Sequence, residues 1–370
     1  MMRLNKNRSF ELLRASLHAV CACAIACLVG CDSKPASNVT HNDAEAKESP
    51  AVTLTAIEFD QKVIAEGLNT PAGLAVQPES GDVFVSTIDG VMRLSAENDF
   101  SMNPEIIGFA TDSYGKGPSY SFDPLGLGFL DSQTLVVGGG GKKDGEDLVW
   151  VIDVPLKPSN PSLEIDQAKK SYGPIAAGDD SFRGEGNFFG LCIGDQKIYT
   201  ASHGDDSKAW ISTIDLADDS AGLRPMIAAK TSTFVDGPSG MALLPNGKLL
   251  LAQTGELHES PDSILAIFDL ESGELEKTIK TELYDITSIL VDSTGDIFVT
   301  DFSWADPDKG GMYLVDLKNE GAFVKCASLV HPTALSVSSG GDIFVACAAK
   351  SENGDEIPTH QGKIVMLSRK

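Results

Sequence analysis

The chain is predicted to be all-β, a six-bladed β-propeller of four-stranded antiparallel blades whose ring is closed by an N-terminal strand. Three observations carry this. One phrase recurs six times, as PAGLAVQPESGDVFVST at Pro71, PLGLGFLDSQTLVVGG at Pro124, FFGLCIGDQKIYTAS at Phe188, PSGMALLPNGKLLLAQ at Pro238, ITSILVDSTGDIFVTD at Ile286 and PTALSVSSGGDIFVAC at Pro332. The third residues of these units are 53, 64, 50, 48 and 46 positions apart, which is room for four strands and their loops. After residue 50 no segment has a helical apolar period, whereas short β-branched and aromatic runs bounded by Gly, Asp, Asn and Pro are frequent.

The fifth unit shows the strands most clearly, over Ser288 to Asp292, Asp296 to Thr300, Gly311 to Leu317 and Ala322 to Ala327. First and second strands are joined through Asn246-Gly247, Thr294-Gly295 and Gly340-Gly341, dipeptides that accept the positive φ of tight hairpins. The sixth unit supplies three strands, Leu335 to Val337, Asp342 to Ala346 and Lys363 to Leu367, and then the chain stops. The run QKVIAE, Gln61 to Glu66, precedes the first unit and is the expected fourth strand.

Residues 1 to 30 have a basic start and an apolar run from Ala15 to Val29 that is too short to span a membrane. Leu28-Val29-Gly30-Cys31 resembles the lipobox of bacterial lipoproteins. That resemblance implies lipidation of Cys31, membrane attachment through the lipid and a place in the bacterial cell envelope outside the cytoplasm. An ordinary secretory signal with an incidental Cys is the alternative. Asp32 resembles the residue that retains lipoproteins at the inner membrane, and both the outer face of the inner membrane and the outer membrane stay open. Residues 31 to 50 then form a polar tether without aromatic residues, too poor in apolar surface to fold, and 51 to 370 form the propeller. The net charge is −24, and the first thirty residues contribute positive charge to it, so the remainder is more acidic still. Such a surface repels nucleic acid and anionic headgroups and attracts cations. Cys192, Cys326 and Cys347 are an odd set at wide spacing with no C-x-x-C pair. They read as small buried apolar residues, one bridge with a spare being the alternative.

Chemistry is expected where the loop entering each innermost strand meets the loop after each second strand, on one face around the axis. The entry loops bring Asn69, Asp123, Asn187, Asp236, Asp285 and His331. Oxygen ligands of this kind suit a hard cation such as Ca²⁺, and the same residue types serve strand-entry turns for backbone reasons alone. The second set of loops, Ser202 to Asp206, Glu256 to Glu259 and Asp301 to Asp306, offers His203 and His258 as general bases or as solvated loop residues. It also offers Trp304 as a stacking platform or as packing between blades. Gly138 to Lys143 lacks the spacing and the following helix of a phosphate cradle and is read as a flexible loop.

Over roughly residues 55 to 369, GLNTPAGLAV followed by GDVFVST and its repeats resemble the NHL-repeat and SMP-30/gluconolactonase-like propellers. The resemblance implies the fold and allows several functions, because the scaffold hosts lactonases, other hydrolases, lyases and binding modules. For a lactonase it implies a divalent metal held by one Glu, two Asn and one Asp, for which Glu185, Asn187, Asp236 and Asp285 are the nearest residues. The family's acidic residue before the first inner strand has no counterpart, since Glu66 lies too early. Two functional readings follow. One is a membrane-anchored propeller that binds a small molecule or an envelope protein on its acidic channel face. The other is a metal-dependent lactonase or hydrolase.

Overall fold

In a run such as Leu249-Leu250-Leu251-Ala252, alternate side chains leave opposite faces of the strand, and all four are fully buried. Both faces of that sheet must therefore be covered. Leu249 and Leu251 pack with Tyr199, Ile211 and Ile227 on one side, while Leu250 and Ala252 pack with Ile289, Ile297 and Val299 on the other. The computed structural model, which describes residues 54–114, 120–194, 196–205, 207–257, 260–319, 321–350 and 358–370, repeats this arrangement around a ring. Cys31 and His258 lie outside the described residues.

Six antiparallel sheets form the blades. From the axis outward, the first contains Leu74–Val76, Val83–Thr87, Gly90–Ser95 and Ser101–Ile107. The second contains Leu127–Asp131, Thr134–Gly138, Val149–Asp153 and Lys170–Tyr172. The third contains Leu191–Gly194, Lys197–Ala201, Trp210–Asp215 and Leu223–Ala228. The fourth contains Pro238–Leu243, Leu249–Gln253, Ile264–Phe268 and Leu275–Lys280. The fifth contains Ile286–Val291, Ile297–Asp301, Gly311–Asp316 and Ala322–Ser328. The sixth takes Pro332–Val337, Ile343–Cys347 and Gly362–Arg369 from the C-terminal end and Phe59–Leu68 from the N-terminal end. The closing strand runs antiparallel to the last one, from Phe59 opposite Arg369 to Leu68 opposite Gly362, and is longer than QKVIAE. Each junction between neighbouring blades carries its own apolar cluster, the sixth-to-first junction included, where Ala334, Phe344 and Ile364 meet Leu74, Val83 and Val85.

Hydrogen bonds near the axis tie each blade to the next. In the last three blades the second residue of the repeat is a hydroxyl that donates to the carbonyl of the first residue of the following unit. Ser239 Oγ bonds Ile286 O at 2.6 Å, Thr287 Oγ1 bonds Pro332 O at 2.8 Å and Thr333 Oγ1 bonds Pro71 O at 2.9 Å. In the first three blades that position is Ala72, Leu125 or Phe189, which pack together instead. Their junctions use Ser86 Oγ to Leu125 O at 2.6 Å, the Gly126 amide to Phe188 O at 3.1 Å, and the His203 ring to Pro238 O.

Two features depart from the simple repeat. The segment leaving the second blade crosses beneath the first and adds Leu163–Glu164 as a fifth strand, parallel to Ser101–Ile107. A hairpin of Asp112–Tyr114 and Tyr120–Phe122 lies between the first two blades in sequence. Helix is confined, among the described residues, to Ala229–Thr233 and three short 3₁₀ turns. Cys192 and Cys347 are buried and Cys326 half-buried, and all three are free thiols. No described helix is long and apolar enough to cross a membrane.

Candidate functional site

Strand entry at the axis requires a sharp bend, and the residue before the repeat takes left-handed backbone at Thr70, Asp123, Asn187 and His331, with φ of 50°, 131°, 52° and 44°. Such conformations strain residues other than glycine. Polar side chains at or beside these entries turn into the protein: Asn69, Asp123, Glu185, Asn187, Asp285 and His331 are all buried.

The densest group is at the second and third blades. Asp123 Oδ1 accepts from the Gly140 amide at 2.9 Å, Asp147 Oδ1 from the Lys142 amide at 3.0 Å, and Asp147 Oδ2 from the Asn187 amide at 3.1 Å. These bonds fix the loop from Gly138 to Asp147 against both entry loops. The run of glycines is there for close packing, not for flexibility as the sequence suggested. A Cβ would stand 2.2 Å from Phe188 O at Gly138, 2.4 Å from Leu125 Cδ1 at Gly140 and 2.1 Å from Ala110 O at Gly141.

Burial pushes the Asp123 carboxyl up to about 8, with the Gly140 amide opposing and the charge of Asp147 reinforcing the shift. Burial also raises Asp147, to about 6, against the amides of Asn187 and Lys142. A cleft of about 290 Å³ is lined by Asp112, Ser113, Gly140, Lys142, Lys143, Asp144 and Asn187, of which Gly140, Lys142 and Asn187 give their amides to the two carboxylates behind them. On the third blade, Ser202 Oγ donates to Glu185 Oε2 at 2.8 Å while Oε1 has no partner. Burial raises the Glu185 pKa.

A second group joins the fifth and sixth blades. Asp285 Oδ2 accepts from the Trp304 amide at 2.7 Å, and its own amide donates to Asp301 Oδ1 at 2.8 Å. Burial lifts Asp285 to about 7, opposed by the Trp304 amide and reinforced by Asp301. The ring of His331 lies 4.5 Å from that of Phe302 and 5.5 Å from that of Trp304, nearly parallel to both. Trp304 therefore packs against the blade-five to blade-six junction. His331 Nδ1 faces Ala349 O at 2.9 Å; a carbonyl only accepts, so Nδ1 carries the proton. Burial lowers the His331 pKa.

The remaining entry-loop residues stand apart. Asn69 Nδ2 donates to Asp89 Oδ1 at 3.3 Å. Asp236 is half-buried and forms an ion pair with Lys230. The ring of His203 donates through Nε2 to Pro238 O, which ties it to the junction of the third and fourth blades. Glu185, Asp236 and Asp285 thus have separate partners in three blades. Among the described residues no three His, Cys, Asp or Glu side chains are grouped to hold a metal ion, and Glu185, Asn187, Asp236 and Asp285 do not form one donor set. Asp147 was not singled out by the sequence because it does not precede a repeat, and the buried Asp301 was named only as the start of a second-strand loop.

The raised carboxyls give a sign for the pH dependence of stability. An Asp whose folded pKa lies above its unfolded value of 3.8 stabilises the fold fully below pH 4, and that contribution is lost as pH rises through the folded pKa. For Asp123 the window runs from about 4 to about 8. Asp123→Asn keeps the amide-accepting oxygen and cannot ionise. Its stability relative to the parent is expected to rise across this window, by an amount of order 5 kcal/mol at about 1.4 kcal/mol per unit. Urea denaturation at pH 4, 6 and 8 measures it; a pH-independent difference would show that Asp123 is not held neutral.

The fold is similar to those of several sugar-related proteins. It matches aldose sugar dehydrogenase from Streptomyces coelicolor in its PQQ-bound form, with a TM-score of 0.56 and 14% identity over 85% of this chain and 99% of that one. A gluconolactonase from Xanthomonas campestris matches with a TM-score of 0.56 and 12% identity over 84% and 90%. A glucose dehydrogenase matches with a TM-score of 0.55 and 13% identity over 84% and 100%. At these identities the similarity is one of fold. No family model matches the sequence, and no curated protein matches it.

Proposed function

We propose that the protein is a hydrolase of the lactonase type, opening small sugar-derived esters in the cleft whose lining covers Asp123 and Asp147. The carrying observation is that two buried carboxyls with separated proton affinities, about 8 and about 6, are held directly behind this cleft by the amides of its lining residues Gly140, Lys142 and Asn187. Near neutral pH the first keeps its proton and the second is ionised, the division of roles that acid–base hydrolysis needs. Asp147 accepts the proton of the attacking water through a lone pair not used by the backbone amides, and Asp123 donates to the departing alkoxide. Asn187, which lines the cleft, positions the substrate. The gluconolactonase and glucose dehydrogenase among the structural neighbours favour a sugar-derived substrate, as fold analogy.

The test is a screen of five- and six-membered sugar lactones and simple esters, with and without added Ca²⁺ and other divalent ions. Turnover is expected to rise through about pH 6 and fall above about pH 8. Asp147→Asn should lower kcat by 10²- to 10⁴-fold without unfolding the chain. Absence of turnover under all of these conditions would remove the enzyme reading.

A second reading is favoured by one feature of the same group. Both oxygens of Asp147 and one of Asp123 hold backbone amides, which is what carboxylates do when their task is to shape a cleft that binds a small molecule or an envelope protein without turnover. Under either reading, lipidation at Cys31 would hold the domain outside the cytoplasm. A globomycin-type block of lipoprotein maturation tests this, and unaltered processing with soluble release would refute it.

A further inference from the structure

Ester hydrolysis in this cleft has one requirement that Asp123 and Asp147 do not meet. When water adds to the carbonyl, an electron pair of the C=O bond moves onto oxygen, and that oxyanion forms beside an ionised Asp147 in a chain of net charge −24. It needs donors already in place to receive it. Most donors of the cleft lining are spent. The Gly140 amide is held by Asp123, and the Lys142 and Asn187 amides are held by Asp147; the neighbouring Gly141 amide also bonds Asp123. Ser113 gives its amide to Asp112 Oδ1 at 2.7 Å and pairs its hydroxyl with Ser121 Oγ at 3.2 Å. Asn187 Nδ2 reaches His203 O at 3.5 Å. The backbone amides that could have formed an oxyanion hole are thus turned onto the two carboxyls behind the lining. Among the described residues, the side-chain donors of the lining that remain are the ammonium groups of the exposed Lys142 and Lys143.

Placement favours Lys142. Its amide is pinned to Asp147 Oδ1 at 3.0 Å, and a Cβ on the preceding Gly141 would stand 2.1 Å from Ala110 O, so the backbone that carries Lys142 is closely held. The positive charge of Lys142 acts on both Asp123 and Asp147, favouring the ionised form of each, which puts its ammonium within reach of the pair. Asp112 and Asp144 also line the cleft, and Asp144 acts on Asp147 in the opposite sense. Neither forms an ion pair with Lys142 among the described residues, so the Lys142 charge is uncommitted. Three carboxylates around the cleft make any further negative charge costly there unless a cation meets it directly.

We infer, resting on the hydrolase reading, that Lys142 is a third catalytic residue, whose ammonium receives the ester carbonyl oxygen and carries the charge of the tetrahedral intermediate. The oxygen of water bonds to the carbonyl carbon and one of its protons passes to Asp147, while the carbonyl pair shifts onto the oxygen held by Lys142. That pair then re-forms C=O, the ring C–O bond breaks, and its electrons leave on an alkoxide that takes the Asp123 proton. The product is the open hydroxy acid. Passage of the Asp147 proton to Asp123 through solvent restores both groups.

The experiment uses the purified full chain and the lactone turned over fastest in the screen above. Lys142→Met is expected to lower the plateau of kcat by about 10²- to 10³-fold, with KM changed by less than about threefold. Lys142→Arg should recover part of that loss, since it keeps the charge. Removing a positive charge beside both carboxyls raises both proton affinities, so both limbs of the pH profile of Lys142→Met should move upward. Methylphosphonate, a tetrahedral anion, gives a readout without turnover: in calorimetry it is expected to bind the parent and to bind Lys142→Met at least about tenfold more weakly. The side chain is exposed, so the thermal midpoints of both variants should match the parent. Four results would overturn the inference. Equal methylphosphonate affinity in parent and Lys142→Met would show that the ammonium meets no anion in the cleft. A plateau of kcat within about threefold of the parent, even with both limbs moved, would make Lys142 a tuner of the two carboxyls and leave the hydrolase reading standing. A fall in thermal midpoint shared by Lys142→Arg would make the side chain structural. No turnover by the parent under any condition of the screen would remove the hydrolase reading and this role with it.

Discussion

Replacing Arg93 with alanine is expected to lower the free energy of unfolding by about 3–5 kcal/mol, the range for removing one partner of a buried ion pair. The Arg93 side chain is fully buried on the third strand of the first blade, with Nε 2.6 Å from Asp82 Oδ2 and one guanidinium nitrogen 3.5 Å from Glu105 Oε1. Its other donors reach Gln77 Oε1 at 3.0 Å and the carbonyls of Pro155 and Leu156 at 2.8 and 2.6 Å. Those carbonyls belong to the segment that crosses from the second blade beneath the first. Glu105 also holds that segment, accepting from Ser159 Oγ at 2.7 Å. The guanidinium is thus the node joining two blades and the crossing strand, and alanine would leave the buried Asp82 and Glu105 carboxylates without their counter-charge and the Leu156 carbonyl without its guanidinium donor. Arg93→Lys should recover only part of the loss, because an ammonium cannot match the five-donor fork. Urea unfolding with hydrogen exchange across residues 155–164 measures both effects. A change below about 1 kcal/mol, with exchange of that segment unaltered, would show that the network is bridged by other groups.

Why that network escaped a reading of the sequence is instructive. GVMRLS scans as an alternating strand, in which an Arg normally faces water; only the crossing segment, brought over from beyond the second blade, encloses it. The 64-residue interval between the second and third units signals extra chain there without saying where it goes. The repeat itself is legible because its physics is local. Strand runs that are apolar on both faces, hairpin turns with Gly247, Gly295 and Gly341 at positive φ, and a fixed spacing place all six blades. Entry-loop residues were legible by position, which brought Asp123, Asn187, Asp285 and His331 into view. Which of them act together was not, because Asp147 meets Asp123 only after the loop of glycines folds across, and Asp236 is taken up by a lysine from the preceding helix. The metal set named from family resemblance needed four loops to converge, and loop convergence is not written in the spacing of a repeat.

Removing Leu54 to Leu68 is expected to abolish cooperative unfolding of the whole ring. The part Phe59–Leu68 of this segment is the outermost strand of the sixth blade, paired with Gly362–Arg369, and it buries Phe59 against Phe298 and Leu68 against the sixth-to-first junction. At roughly 1.5–3 kcal/mol for each large apolar side chain removed from water, together with the loss of the strand ladder, the deletion takes away a large share of a typical net stability of 5–15 kcal/mol. It also uncovers the edge of Gly362–Arg369, a template for pairing with another molecule, so the truncated chain should aggregate or unfold over a broad transition. A synthetic peptide of Leu54 to Leu68, added in trans, should restore a single sharp transition, because what is missing is one strand's pairing and not a folding nucleus elsewhere. An unchanged transition in the truncated chain would mean that three strands suffice for the sixth blade and that the ring is held by its innermost strands, where Thr333 already joins the sixth unit to Pro71.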